Sequence, residues 1–366
     1  MAKRWVVKIG SSLLTNNGKG LNHSAIAQWV AQIHQLRLQG VEVALVSSGA
    51  VAEGVIRLGW DKRPNDLVQL QAASAVGQMG LVSAWQAALQ QHAIQSAQVL
   101  LTNQDFRSRQ RYLNAKNTLD ALLDLGVLPI INENDTVVTD EICFGDNDTL
   151  GAMVANLVQA DRLVILTDQD GLYSADPRSN PDVQLITEAN ASDEQLLAMA
   201  GDSVSGLGRG GMTTKVLAAQ WAEKSGCNTS IVSGIEPEVL TRLFAGEAIG
   251  TLLTADITPL AAKKQWLMTH QNTQGAIVLD DGAVLALTHK GKSLLPIGIQ
   301  GIQGSFQKSD VVACKDAQGK IIALGQVNYP ADEVDIIKGL SLKQAASALE
   351  DLTERAVIHR NNMVLL

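Results

Sequence analysis

Residues 127–148 read VLPIINENDTVVTDEICFGDND. Residues 127–131 have the length and apolar content of a buried strand, and Asn132, Glu133, Asn134 and Asp135 stand where that strand would emerge. A polar cluster is therefore expected at a strand's carboxyl end, the edge of an open parallel sheet at which ligands bind. A second cluster, Asp146, Asn147 and Asp148, follows Gly145 and precedes the helix-like LGAMVANLVQA. Helix capping accounts for one of these three residues but hardly for both clusters.

Upstream, WVVKIGSSLLT predicts a strand over residues 5–9 that runs into Gly10, Ser11 and Ser12. Lys8 within that strand has two readings: an edge strand whose lysine reaches solvent, which is the simpler one, or a charge aimed at a ligand beyond the strand's end. Gly10–Ser12 form a small turn whose amides can approach an anion. Ile26, Trp29, Val30, Ile33 and Leu36 recur at helical spacing, with Gly40 as terminator. The next strand, VEVALV, ends in Ser47, Ser48, Gly49 and Ala50, either a plain tight turn or a second cradle beside the first. A long helix over residues 66–91, a strand QVLLT and a helix over 112–125 closed by Gly126 lead to the central stretch. After it, RLVILT forms a strand ending at Asp168, followed by an ordered loop.

Residues 201–226, GDSVSGLGRGGMTTKVLAAQWAEKSG, form a glycine-rich segment entering a helix whose early turns carry Thr213, Thr214 and Lys215. Gly206, Gly208 and Gly211 match GxGxxG, but no apolar strand precedes them, so a dinucleotide fingerprint is rejected; a Walker loop fails because Met212, Thr213 and Thr214 separate Gly211 from Lys215. A glycine loop with hydroxyls and a lysine at a helix start suits a triphosphate, or serves as a simple flexible lid. A further strand and helix and GTLLT complete an alternating β and α region. From Asp256 the texture changes to a connecting segment and then to short apolar runs separated by DDG, HKGK, GIQG and AQGK, read as a small all-β module. One helix and a final short strand follow.

The chain has 366 residues, 46% hydrophobic and 18% charged, which implies two globular domains. No run approaches the roughly 18 apolar residues of a membrane span, and the start lacks a signal-peptide core, so a soluble cytoplasmic protein is expected. Cys143, Cys227 and Cys314 are scattered and odd in number, which argues for reduced thiols rather than disulfides or zinc. The formal charge of −8 is uneven: from Asp256 onward eleven basic residues balance eleven acidic ones, leaving 18 against 26 in the first 255 residues. Neither part has the basic surplus of a protein devoted to nucleic acid.

No Ser-His-Asp or Cys-His arrangement presents itself, and the six histidines follow no metal-ligand pattern. The coherent reading is phosphoryl transfer, which asks for positioning and charge neutralisation rather than covalent chemistry. Lysines would act on the migrating group from both sides and a carboxylate such as Asp148 would hold them; an acceptor that is itself a carboxylate needs no general base.

In this order, WVVKIGSSLLT, ALVSSGAV, LPIINENDTV, FGDND, LTDQDGLYSADPR and SGLGRGGMTTK, followed by a small β module, resemble the bacterial glutamate 5-kinases, amino acid kinases with a C-terminal PUA domain. The resemblance spans essentially the whole chain. It implies an αβα sandwich on a mainly parallel sheet over residues 1–255, a linker over 256–272, a small β-barrel-like PUA domain over 273–351 and a tail over 352–366 packed on it. It implies transfer of the ATP γ-phosphate to the glutamate side-chain carboxylate, the first step of proline synthesis. Lys8 and Lys215 would contact the phosphates, with Asp148 organising both. Ser48, Asp135 and Asn147 would bind glutamate, and Thr167, Asp168 and residues Arg209, Gly210, Gly211, Met212, Thr213, Thr214 and Lys215 would receive ATP, with Mg²⁺ bridging phosphate oxygens. It further implies inhibition by proline, a homodimer or homotetramer, and handover of a labile product to glutamyl phosphate reductase. The rival readings are a relative acting on acetylglutamate, aspartate, carbamate or UMP, and an RNA-binding PUA protein, which the neutral tail opposes.

Overall fold

The computed structural model describes residues 3–15, 20–137, 146–177, 180, 182–201, 211–269, 273–349, 352 and 354–366. The chain divides into two compact units, Met1–Pro259 and Leu260–Leu366.

The first unit is built on eight strands: β1 (Lys3–Ile9), β2 (Val41–Ser47), β3 (Ser96–Leu101), β4 (Leu128–Glu133), β5 (Arg162–Thr167), β6 (Glu188–Asn190), β7 (Asn228–Ser233) and β8 (Thr251–Thr254). They lie in the order β3-β4-β2-β1-β5-β7-β8-β6, with every pairing parallel except β7 with β8. The sheet is doubly wound: from β1 the chain passes to β2 on one side and later to β5 on the other. The carboxyl ends of β1, β2, β4 and β5 thus meet at one edge, at the point where the winding reverses, which is where such sheets bind ligands.

Strand alternation assigns the two faces. Trp5, Val7 and Ile9 join one core with the helices His23–Leu38 and Leu67–Gln90. Val6 joins the other with the helix Asn147–Leu157 and Ala218 and Ala222 of the helix Met212–Glu223. The result is the αβα sandwich that the resemblance implies. Buried on both faces, these strands read as continuous apolar runs, which is why they were legible. Helix ends follow the expected chemistry. Asn22 and Asp66 cap the helices His23–Leu38 and Leu67–Gln90 with their side chains, and Gly40 and Gly126 take positive φ after helix ends.

The second unit carries a five-stranded sheet, β9 (Gly275–Leu279), β10 (Ile299–Gly304), β11 (Val311–Lys315), β12 (Ile321–Gln326) and β13 (Met363–Leu365), in the order β10-β9-β11-β12-β13. Residues 256–272 contain the helix Pro259–Thr269, whose Leu267 packs with Ala276, Val311 and Ala313. Two details differ from the sequence reading. DDG is not a hairpin turn: Asp280 caps a helix, Asp281–Lys290, by accepting from the Ala283 N–H, and Gly291 ends it at φ +54. AVLAL is too short for periodicity to separate helix from strand, and the Asp cap and glycine terminator were the deciding signals. The segment after β12, read as one helix, holds two, Ala331–Ile337 and Leu342–Ala348, because Gly339 turns at φ +72 and Ser341 with Gln344 forms a capping box.

Candidate active site

The simpler account of Lys8 fails. Strand β1 is central, Lys8 pairs with Val46 on one side and Ile165 on the other, and its side chain is only 6% exposed. Sharing the face of Val6, it runs under the helix Asn147–Leu157. Gly151 packs directly over it: a Cβ there would stand 3.4 Å from the Lys8 Cβ, an ordinary van der Waals contact.

That helix begins where Asp146 accepts from the Thr149 N–H at 2.8 Å, so Asn147 and Asp148 occupy its first turn. Asp148 is fully buried and ion-pairs through Oδ1 with Lys8 and through Oδ2 with Lys215 at 3.2 Å. The Thr214 hydroxyl lies 2.9 Å from the same Oδ2. Burial by itself would raise the Asp148 carboxyl. The charges of Lys8 and Lys215 and the hydrogen bonds from Lys8 and Thr214 outweigh it and hold the group at about 2, below its ordinary 3.8. Asp146 moves the other way, raised by burial first and by the Asp148 charge second. Lys215 sits in the first turn of Met212–Glu223, where the macrodipole adds positive charge to a buried ammonium. Two lysines and two helix N-termini against one fully buried, ionised carboxylate leave a local surplus that suits a polyanion.

Beside this cluster lies a second, neutral one. Asn147 Nδ2 is 3.1 Å from the Ser47 carbonyl oxygen, 3.0 Å from Ser48 Oγ and 2.9 Å from Asn132 Oδ1. Gly49 turns at φ +98, the left-handed conformation that the sharp exit from β2 requires. Asp135 opens the short helical turn after β4, and its carboxylate accepts from Ser74. Thr167 and Asp168, at the end of β5, bond to each other at 3.1 Å. Lys8, Lys215, Ser48, Asn147, Asp135 and Asp168 all line one open cavity of about 620 Å³, together with Gly10, Ser11 and Ser12.

The profile of the amino acid kinase family matches residues 3–233, and that of the PUA domain residues 275–347. Glutamate 5-kinase from Herminiimonas arsenicoxydans is 58% identical over 365 residues, covering 100% of this chain and 98% of that protein.

The chain belongs to the glutamate 5-kinase family.

The glutamate 5-kinases of Cupriavidus taiwanensis and Burkholderia multivorans, at 57% and 56% identity with the same coverage, agree. Among solved structures, a UMP kinase from Bacillus anthracis superposes at a TM-score of 0.48 and 17% identity over 70% of this chain and 97% of that one, too loosely to add to the assignment.

For this glutamate 5-kinase family member, the structure brings together Lys8, Asp148, Lys215, Ser48, Asn147, Asp135, Thr167 and Asp168 of the residues singled out by sequence. Gly211 is the N-cap of the lysine-bearing helix. In the first turn of that helix, the Met212 side chain packs against the apolar cluster of Leu172 and Leu196, and the Thr213 hydroxyl donates to the Gly201 carbonyl. Arg209, Gly210, Gly206, Gly208, Cys143 and Gly145 lie outside the described residues. Asn132 and Glu133, which the sequence marks only as members of the cluster after residue 131, and Arg63, which it does not single out, also stand on the cavity wall. The position of Asn132 at the end of β4 was signal enough for it, whereas Arg63 lies in a loop with no pattern of its own.

Proposed function

We propose that the chain transfers the γ-phosphoryl group of ATP to the side-chain carboxylate of L-glutamate, giving L-glutamyl 5-phosphate, the first step of proline synthesis. The observation that carries this reading is the buried Lys8–Asp148–Lys215 cluster on the wall of a cavity whose other groups are amides, hydroxyls and carboxylates. An oxygen of the glutamate carboxylate, ionised at neutral pH, attacks the γ-phosphorus; the bond to the β–γ bridging oxygen breaks and ADP leaves with its electron pair. No proton is removed, so no base is needed. Lys8 acts from the acceptor side and Lys215 from the leaving-group side, both held by a carboxylate that stays ionised far below neutral pH. Thr167, Asp168 and residues 209–215 receive the nucleotide, with Mg²⁺ entering on ATP and offsetting phosphate charge. Ser48 and Asn147 hold glutamate, with Asp135 facing its ammonium group.

The test is ADP release with Mg·ATP and each candidate acceptor, with hydroxylamine present to trap an acyl phosphate. Glutamate-dependent ADP and hydroxamate, absent with aspartate, acetylglutamate and UMP, are expected; turnover with another acceptor alone overturns the substrate. The proposal includes inhibition by proline overlapping the glutamate site, a homodimer or homotetramer formed through the catalytic unit, a cytoplasmic location and handover to glutamyl phosphate reductase. Among the described residues no helix is long and apolar enough to cross a membrane. Proline inhibition indifferent to glutamate concentration would count against overlap, and a monomer in sedimentation at micromolar concentration against the oligomer.

A further inference from the structure

The carbonyl oxygen of Ser47 fixes the orientation of a row of three side-chain amides. A backbone carbonyl can only accept, so Asn147 must face it with Nδ2. Asn132, meeting that same Nδ2 at 2.9 Å, must present Oδ1. Its own Nδ2 then points to Gln78 and donates to Oε1 at 2.8 Å. Gln78 ends the row. It is 93% buried, and its Nε2 has no hydrogen-bond partner among the described residues. A buried amide that forgoes a donor's partner is a cost to stability, and one that places its oxygen against Asn132 has a role to set beside that cost.

The helix Leu67–Gln90 holds Gln78 at a fixed height. Gly77 meets the helix Ala50–Arg57 so closely that a Cβ there would stand 1.9 Å from the Ala50 carbonyl oxygen; at Gly54 one would stand 1.7 Å from that of Ala73. The same helix offers Ser74, one turn before Gln78, to the Asp135 carboxylate. One helix face thus supports two of the groups assigned above to glutamate, without lining the cavity at Gln78 itself.

We propose that Gln78 is a positioning residue for the acceptor: the Ser47 carbonyl sets the polarity of the row, and Gln78 Oε1, by accepting from Asn132 Nδ2, holds Asn132 in the orientation in which its Oδ1 braces Asn147 Nδ2, leaving Asn147 Oδ1 to accept from the substrate. This rests on the glutamate reading of the site. Without the Gln78 oxygen, Asn132 Nδ2 is buried with no acceptor. The relief open to it is a flip that sets Nδ2 against Asn147 Nδ2, disordering the acceptor contact but leaving Lys8, Asp148 and Lys215 untouched.

The test is Gln78→Met, which keeps length and volume but offers no comparable acceptor, compared with Gln78→Glu, which keeps an oxygen facing Asn132 while exchanging the unpartnered Nε2 for a second carboxyl oxygen, at the cost of burying an acidic group. Glutamate KM, kcat, ATP KM and calorimetric glutamate affinity are measured for each. Q78M should raise glutamate KM and Kd about tenfold, the effect of one lost hydrogen bond, with kcat and ATP KM within about twofold. Q78E should recover most of that loss, and in an Asn132→Ala background Q78M should add nothing. A glutamate Kd within about twofold of the parent in Q78M, or a fall in kcat and Tm with KM unmoved, overturns the proposal; Gln78→Leu takes the same test if Q78M does not fold. Absence of glutamate turnover in the unsubstituted protein is the separate failure of the parent reading.

Discussion

Replacing Asp148 by Asn removes one charge and almost no volume, and the structure sets the size of the effect. Asp148 is fully buried, and its carboxyl is held at about 2 against an ordinary 3.8, a difference that corresponds to about 2 kcal/mol of folding stability at neutral pH. Loss of that interaction is the smaller consequence. Lys8 and Lys215, each 6% exposed, keep their ammonium groups with no carboxylate between them, and breaking a buried pair in this way costs roughly 3–5 kcal/mol. The second effect wins, and for a unit of this size it corresponds to a fall of about 10 °C in the Tm of the catalytic unit. The substituted amide cannot align two cations that repel each other, so kcat should drop between about a hundredfold and a thousandfold, the range for losing a preorganised electrostatic contact. The assays are a thermal scan by circular dichroism at pH 7.5 and steady-state ADP release under saturating Mg·ATP and glutamate. The pH dependence carries a sign. Because the folded carboxyl lies below its unfolded value, its contribution is complete above about pH 4 and is lost as pH falls towards 2, so the stability gap between parent and D148N should narrow over that window. A D148N protein with Tm within about 2 °C and kcat within about threefold of the parent would falsify the view that this carboxylate organises the lysines.

Asn147→Ala should raise glutamate KM at least about tenfold with ATP KM little changed, because its contacts are to Ser47, Ser48 and Asn132 and not to the lysine cluster; equal effects on both substrates would refute the separation. Gly77→Ala should destabilise the catalytic unit by about 3 kcal/mol and also raise glutamate KM, since its Cβ would press on backbone at Ala50 and displace the adjacent Gln78; denaturant titration with unchanged midpoint would count against the close packing. Burial pushes the Cys227 thiol far up and the Cys314 thiol up to about 12, so neither should react with a thiol reagent at pH 8 in the native protein, and detection of more than one fast-reacting thiol would contradict their placement.

The elements of the catalytic unit were legible because the forces that make them are local or periodic. Strands buried on both faces read as unbroken apolar runs, helices as apolar residues at helical spacing, and their ends as Asp, Asn and Gly at cap positions. The polar clusters at the ends of β1, β2, β4 and β5 could likewise be assigned to strand ends, and the order of motifs along the chain pointed to the glutamate 5-kinases. The short helix Asp281–Lys290 was misjudged because five apolar residues carry no period.

Strand order within the sheet and pairing between distant side chains were beyond that reading. Whether Lys8 sits on an edge or in the centre depends on β2 and β5 flanking it, a choice made by packing over the whole unit. Its partner Asp148 lies 140 positions away, and the same carboxylate reaches Lys215, 67 positions further on. Gln78 had no sequence signal at all, standing 54 positions from the Asn132 it supports, on a helix whose height two glycines set. Local sequence determines which residues can form a strand, a cap or a turn, since those energies arise among neighbours in the chain. Which charges share a buried site, and which amide orients another, is decided only when the burial of both sheet faces brings distant segments within hydrogen-bonding distance.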